Sequence, residues 1–248
     1  QADFVADLVA RFANKTQKSR AIAQKGRPVL SDWINSLGFR KTLKELVYPV
    51  AVKSASGPRF TDVDGNDYID MAMGYGVSFF GNNPEFIREA VNAAMANGCC
   101  MGPQTPLAAT AADGIRSLTG VERVSFCNTG SEAVMAALRI ARAVTGRKTV
   151  VIFSGSYHGT FDGVLAVAGQ EGEAQPATPG TLPAMVADVR LLAYGKTESL
   201  ETIREWQDDL AAVLVEPVQS RNPSLQPAEF LRELREITEK SGTALIFD

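Results

Sequence analysis

Four short stretches place chemically capable residues directly after apolar runs. They are Asn128-Thr129-Gly130-Ser131 after Val121–Cys127, Gly155-Ser156-Tyr157-His158-Gly159 after Thr149–Phe153, Glu216-Pro217-Val218-Gln219 after Ala211–Val215, and Asp248 after Thr243–Phe247. The first pairs a glycine, which permits a tight turn, with the Ser131 hydroxyl at the start of a helical pattern. Free backbone N–H groups and the helix dipole make such a place an anion seat, suited to a phosphate monoester. Thr129 and Ser131 are also what an ordinary N-cap uses, and alone they say no more than that. The second stretch sets Tyr157 and the chain's single histidine, His158, between glycines. A tyrosine there can lie against a planar ring, a contact worth about 1 kcal/mol; it can equally be loop filling. Glu216 and Asp248 each end an apolar strand pattern. A carboxylate in that position needs a hydrogen-bonding or cationic partner, because leaving it buried and unpaired costs several kcal/mol.

The elements that must position these residues follow from hydrophobic periodicity. Phe4, Val5, Leu8, Val9 and Phe12 repeat at helical spacing and lead into a basic stretch with Lys15, Lys18 and Arg20. Asp64-Gly65, between two β-prone runs in Arg59–Met71, predicts a hairpin turn. Ile87, Ala90, Val91, Ala94 and Met95 form one helical face, with Pro84 before it and Gly98 after it, and another helix is expected over about 106–118. Strand Val121–Cys127, helix Ser131–Val144 and strand Thr149–Phe153 then alternate, followed by strand Ala211–Val215, helix Ala228–Lys240 and strand Thr243–Phe247. Short apolar strands alternating with helices predict an α/β fold with a mainly parallel, doubly wound sheet. Residues 168–184 read as an irregular loop. The domain reading is an N-terminal segment of helix, linker and hairpin over 1–80, and the first part of a large α/β domain over 81–248. In such sheets ligands bind beyond the carboxyl ends of the strands, where all four stretches lie.

Composition narrows the function classes. With 25 basic and 28 acidic residues the net charge is −3, so no polyanion-binding surface is expected and nucleic acid is not an expected partner. No apolar run approaches the roughly 20 residues that span a bilayer, so no membrane association is expected. The three cysteines, Cys99, Cys100 and Cys127, do not form a disulfide framework and fit a reducing cytoplasm. Cys99-Cys100 reads as packed helix-end sulfur. The Asp62/Asp64/Asn66 group lacks the later bidentate glutamate of a calcium loop and reads as a turn, so no metal is expected. There is no Walker or dinucleotide glycine fingerprint after any strand, which weakens a Rossmann dehydrogenase reading.

Order and wording carry a resemblance. The strings FCNTGSEAVMAALRIAR, SGSYHGTFDG, LVEPVQ and TALIFD resemble those of class III, fold-type I, pyridoxal-phosphate aminotransferases, a group that includes glutamate-1-semialdehyde aminomutase. The likeness runs from about residue 40 to the end. RPVLSDWINSLGFRKTLKELVYPV, DVDGNDYIDMAMGYGVSFFG and VEPVQSRNPSLQPAEFLRELREIT further resemble aminotransferase domains of polyketide synthase and mixed polyketide–peptide synthetase assembly lines. The resemblance implies a fold-type I transferase using pyridoxal 5′-phosphate, with pyridoxamine 5′-phosphate as its half-reaction form. It implies a phosphate held by Thr129, Gly130 and Ser131, and Tyr157 stacked on the pyridine ring with His158 beside it. By the same resemblance Glu216 orders the cofactor face and Asp248 pairs with the ring nitrogen. Glu216 and Asp248 are thus the catalytic candidates in residues 1–248, because the family's Schiff-base lysine falls downstream of the segment matching Asp248. No lysine here takes that role, and residues 1–248 alone are expected to carry no transamination. Both ends read as those of a segment cut from a longer chain.

One departure bears on the substrate. Many class III enzymes have Gly-Glu soon after the VEP-x-Q segment, the glutamate gating a substrate-binding arginine; here Ser220-Arg221 stands in that place. The implied reaction is transfer of an amino group from an amino-acid donor to a β-ketoacyl thioester on an acyl carrier protein, by a homodimer with interfacial active sites. The alternatives are a free-standing ω-aminotransferase or glutamate-1-semialdehyde aminomutase acting on a small free substrate, and a non-catalytic fragment of this fold.

Overall fold

A computed structural model describes residues 2–31, 40–98, 102–169 and 173–248. Cys99 and Cys100, and the middle of the 27–50 string, lie outside the described residues. Two compact units form, Gln1–Gln104 and Thr105–Asp248.

The first unit opens with helices α1 (Ala2–Lys15) and α2 (Gln17–Gly26), so the basic stretch is itself helical. The break falls at Thr16, whose hydroxyl meets Tyr48 Oη at 2.7 Å as well as Phe12 O. Strands β1 (Val52–Ser56), β2 (Arg59–Asp62) and β3 (Asp67–Ile69) form an antiparallel meander with the expected turn at Asp64-Gly65. The acidic group builds that turn. Buried Asp62 accepts from the Asp64 and Asn66 N–H groups, the Asn66 side chain and the Tyr68 hydroxyl, while Asp64 caps α2 by accepting from the Lys18 and Ser19 N–H groups. Burial pushes the Asp62 carboxyl up, but the bonds from Asn66, Tyr68 and Asp64 outweigh it and hold it below the ordinary value. Helix α3 (Glu85–Ala96) follows Pro84 as expected, with Gly98 beyond it at φ +82°.

The second unit contains α4 (Leu107–Thr119), α5 (Gly130–Thr145), β4 (Thr149–Phe153), a hairpin β5 (Ala166–Ala168)–β6 (Ala174–Pro176), α6 (Pro183–Val186), β7 (Val189–Leu192), α7 (Thr197–Trp206), β8 (Leu210–Val215), α8 (Ala228–Ser241) and β9 (Ala244–Phe247). Strands β7-β4-β8-β9 pair in that order, all parallel. Alternate residues of β4 enter opposite layers: Val151 and Phe153 pack with Leu200, Ile203, Phe230 and Leu234 of α7 and α8, and Val150 and Ile152 pack with Val134 and Leu138 of α5. Coverage on both faces is why the strands read as continuous apolar runs. Each fully buried valine or leucine contributes about 1.5–3 kcal/mol.

Two expectations need correction. Val121–Cys127 is not a strand: a strand exists only by pairing its backbone, no described residue pairs with this one, and Val121 and Phe126 are exposed. The 168–184 loop instead contributes to the β5–β6 hairpin and to α6. Two further elements, β7 at the sheet edge and α7, the helix that covers it, lie between that segment and β8. Among the described residues no helix is long and apolar enough to cross a membrane.

Candidate functional site

The chain leaves β4 for β7 on one side and returns to β8 on the other, so the strand order reverses at β4. A crevice opens where parallel strands diverge in this way, at their carboxyl ends. The loop leaving β4, residues 154–160, is tied to each of the other three stretches.

At the first, Thr129 is the N-cap of α5 and its hydroxyl accepts from Glu132 N at 3.1 Å, while the Glu132 carboxylate accepts from Asn128 N at 2.8 Å. This reciprocal arrangement closes the start of the helix. The N–H groups of Gly130 and Ser131 have no hydrogen-bond partner among the described residues. Gly130 does not serve a tight turn, since its φ is not positive; its use is space, because a Cβ built there meets nothing within 4 Å. Two free donors, a helix dipole and open room above a glycine fit an incoming phosphate. The Ser131 hydroxyl accepts from Thr160 N at 2.9 Å. Gly159, at φ +84°, lets the loop approach this closely: a Cβ there would sit 2.3 Å from Ser131 Oγ.

Glu216 joins the β8 exit to the same loop, accepting from Tyr157 N at 3.1 Å and from Ser220 N at 2.7 Å. Both bonds are to backbone donors, so the carboxylate fixes the two loops relative to each other. The buried Gln219 side chain donates to Ser154 O at 3.1 Å and faces Gly155 at φ +85°. Nearby, the Tyr194 hydroxyl donates to Pro217 O at 2.7 Å; burial raises its pKa, and the Glu216 charge adds to the rise. The Tyr157 ring is half exposed and carries the Arg221 guanidinium 5.7 Å from its centroid.

Asp248 N donates to Val215 O, continuing the β8–β9 ladder, and Asp248 Oδ2 lies 2.7 Å from His158 Nδ1. His158 is only 4% exposed, which fixes its ring and, through it, the carboxylate. Its Nε2 is buried with no hydrogen-bond partner among the described residues.

Every predicted site residue therefore belongs to one connected set. The sequence alone does not point to these roles for Thr160, Gln219 and Glu132. Gly159 was the available signal for Thr160, since a loop glycine beside a chemically capable pair often marks a close approach.

Comparison with known proteins supports the same chemistry. The profile of the family "Aminotransferase class-III" matches residues 42–248. A glutamate-1-semialdehyde 2,1-aminomutase of Rhodopirellula baltica is 37% identical over 206 residues, covering 81% of this chain and 47% of its own length. A transaminase structure with pyridoxal phosphate bound superposes with a TM-score of 0.82 at 33% identity, covering 94% of this chain and 55% of that one. A glutamate-1-semialdehyde aminomutase of Pseudomonas aeruginosa gives 0.86 at 25% identity over 100% of this chain and 55% of its own. The chain thus spans about half the length of the curated relatives it matches. With the profile, the parallel sheet and the motif order in agreement, this chain belongs to the class III aminotransferases, pyridoxal-phosphate enzymes of fold type I.

Proposed function

We propose that the protein containing this chain is a pyridoxal-phosphate-dependent aminotransferase or aminomutase acting on a small free substrate, of the kind its aminomutase and transaminase relatives are named for. The observation that carries this reading is the convergence of the start of α5 and the exits of β8 and β9 on the 154–160 loop, which sets an anion seat, an aromatic face and a carboxylate in one connected set. Pyridoxal phosphate bound there would supply an electron sink for amino-group transfer. Gly130 and Ser131 hold its phosphate through N–H donors, and Thr129 closes the turn beneath. Tyr157 packs on the pyridine ring. Asp248, oriented by His158, keeps the proton on the ring nitrogen, and Glu216 holds the loops that carry these groups in register. Residues 81–248 then form the first part of the cofactor-binding domain, in a cytoplasmic homodimer.

A second reading rests on Arg221, which stands where many relatives acting on free α-amino acids place a glutamate. There the acceptor is a β-ketoacyl thioester on a carrier protein with an amino acid as donor. The test is to supply the full-length protein with free keto acids or semialdehydes and, separately, with acyl-carrier thioesters. Turnover of the free compounds supports the first reading, and turnover confined to thioesters replaces it with the second. Borohydride reduction and peptide mapping are expected to label a lysine outside residues 1–248; a label inside them overturns the assignment of roles.

A further inference from the structure

Arg221 is the site's unspent cation. Among the described residues its guanidinium makes no ion pair and donates no hydrogen bond; its one recorded partner is the Tyr157 ring, 5.7 Å away. The backbone on either side is fixed, since Ser220 N donates to Glu216 and Asn222 N donates to Gln219 O. A long side chain on a pinned backbone, resting on an aromatic face, is pre-positioned with its five donors uncommitted. It also lines a cleft of about 160 Å³ with Ser154, Ser156, Val164, Val167 and Leu191. That volume is many times the roughly 10–15 Å³ a water needs, and one wall is aliphatic.

We propose that Arg221 is the anion anchor of the substrate site. Its guanidinium takes a carboxylate or phosphate at the end of the substrate away from the transferred amino group, and the aliphatic wall beside it takes the intervening chain. This deepens the proposed function and rests on it. The same anion chemistry has two sources: the terminal carboxylate of a free ω-amino or oxo acid, or the phosphate of a carrier protein's pantetheine arm. A guanidinium suits both because its planar fork matches either oxyanion in two-point contact.

The test uses the full-length protein and its Arg221→Met and Arg221→Lys variants; methionine keeps packing on Tyr157 and removes the charge. Calorimetric titration with glutarate and with pantetheine 4′-phosphate reads anion binding directly. The expected result is that the wild type binds one of them and Arg221→Met weakens it at least about tenfold, the low end for hydrogen bonds to a charged group, with lysine intermediate. Tighter binding of glutarate identifies a free carboxylate as the source, and of the phosphate a carrier arm. In turnover, KM for an ω-oxo acid rises in Arg221→Met while KM for the neutral aldehyde of equal length does not. Equal binding by wild type and Arg221→Met, or no binding of either probe by the wild type, overturns the proposal. Absorbance titration with pyridoxal phosphate is run in parallel. Its failure defeats the proposed function while the anion titration stays readable.

Discussion

Replacing Gly159 and Gly130 separately by alanine distinguishes a glycine that shapes the protein from one that leaves room for something else. At Gly159 the backbone is left-handed, φ +84°, and the new Cβ would fall 2.3 Å from Ser131 Oγ and 3.0 Å from Ser131 Cα. The conformation alone costs an L-residue about 1–3 kcal/mol. The serine must also swing away, breaking its bond from Thr160 N, a loss of about 1 kcal/mol. The expected destabilisation is therefore about 2–4 kcal/mol, together with weaker cofactor binding, because the start of α5 shifts. At Gly130 the new Cβ meets nothing within 4 Å and φ is ordinary, so stability should change by no more than about 0.5 kcal/mol. If the space above Gly130 belongs to the cofactor phosphate, affinity should nevertheless fall by about tenfold or more, since a methyl group would crowd the donors. Urea unfolding and absorbance titration with pyridoxal phosphate on the full-length protein read the two effects. A Gly130→Ala protein that binds the cofactor as tightly as the wild type, or a Gly159→Ala protein of unchanged stability, would refute the reasoning.

Other outcomes follow from the same contacts. His158→Ala removes the hydrogen-bond partner that the Asp248 carboxylate has among the described residues and opens a cavity in a buried site, so it should lose about 2–3 kcal/mol and release cofactor on dialysis; His158→Asn, which can place an amide N–H near the former Nδ1, should retain more of both. Equal cofactor loss in the two variants would show that the contact with Asp248 is not what matters. Arg147 donates to the carbonyls of Gln207, Leu210 and Ser241 and to the Thr243 hydroxyl, beside the amino ends of β8 and β9. Arg147→Ala should therefore destabilise by about 2–4 kcal/mol with cofactor affinity intact, measured by urea unfolding and absorbance titration. In the first unit, Tyr68 is pushed up to about 12 by burial and by its bond to Asp62. Its raised folded pKa contributes stability that is present below about pH 10, its unfolded value, and is lost as pH rises toward 12. Asp62→Asn should bring the Tyr68 transition down in an ultraviolet pH titration, and an unmoved transition would exclude Asp62 as a cause. Because the Asp62 carboxyl is held below its ordinary value, its contribution is present above about pH 4 and lost as pH falls through the folded pKa. Asp62→Asn should flatten that acid limb in pH-dependent unfolding.

Periodicity and strand-exit chemistry determine a good deal of this protein without any coordinates. The helices over 85–96, 107–119, 130–145 and 228–241 and the strands β4, β8 and β9 were legible because each carries its own apolar pattern, and the order of the four exit strings carried the family. Val121–Cys127 shows the limit. Its composition is that of a strand, but a strand is a pairing, and pairing belongs to two segments at once. The site divides along the same line. Gly130, Ser131, Tyr157, His158, Glu216 and Asp248 could each be picked out by residue type and position. That Glu216 accepts from Tyr157 N, that His158 is buried against Asp248, and that Gly159 lets the loop meet Ser131 are consequences of packing between residues 28 to 90 positions apart. Local sequence specifies which groups are available; only the folded sheet decides which of them face one another, because contacts at that separation are set by strand order and side-chain burial rather than by neighbours in the chain.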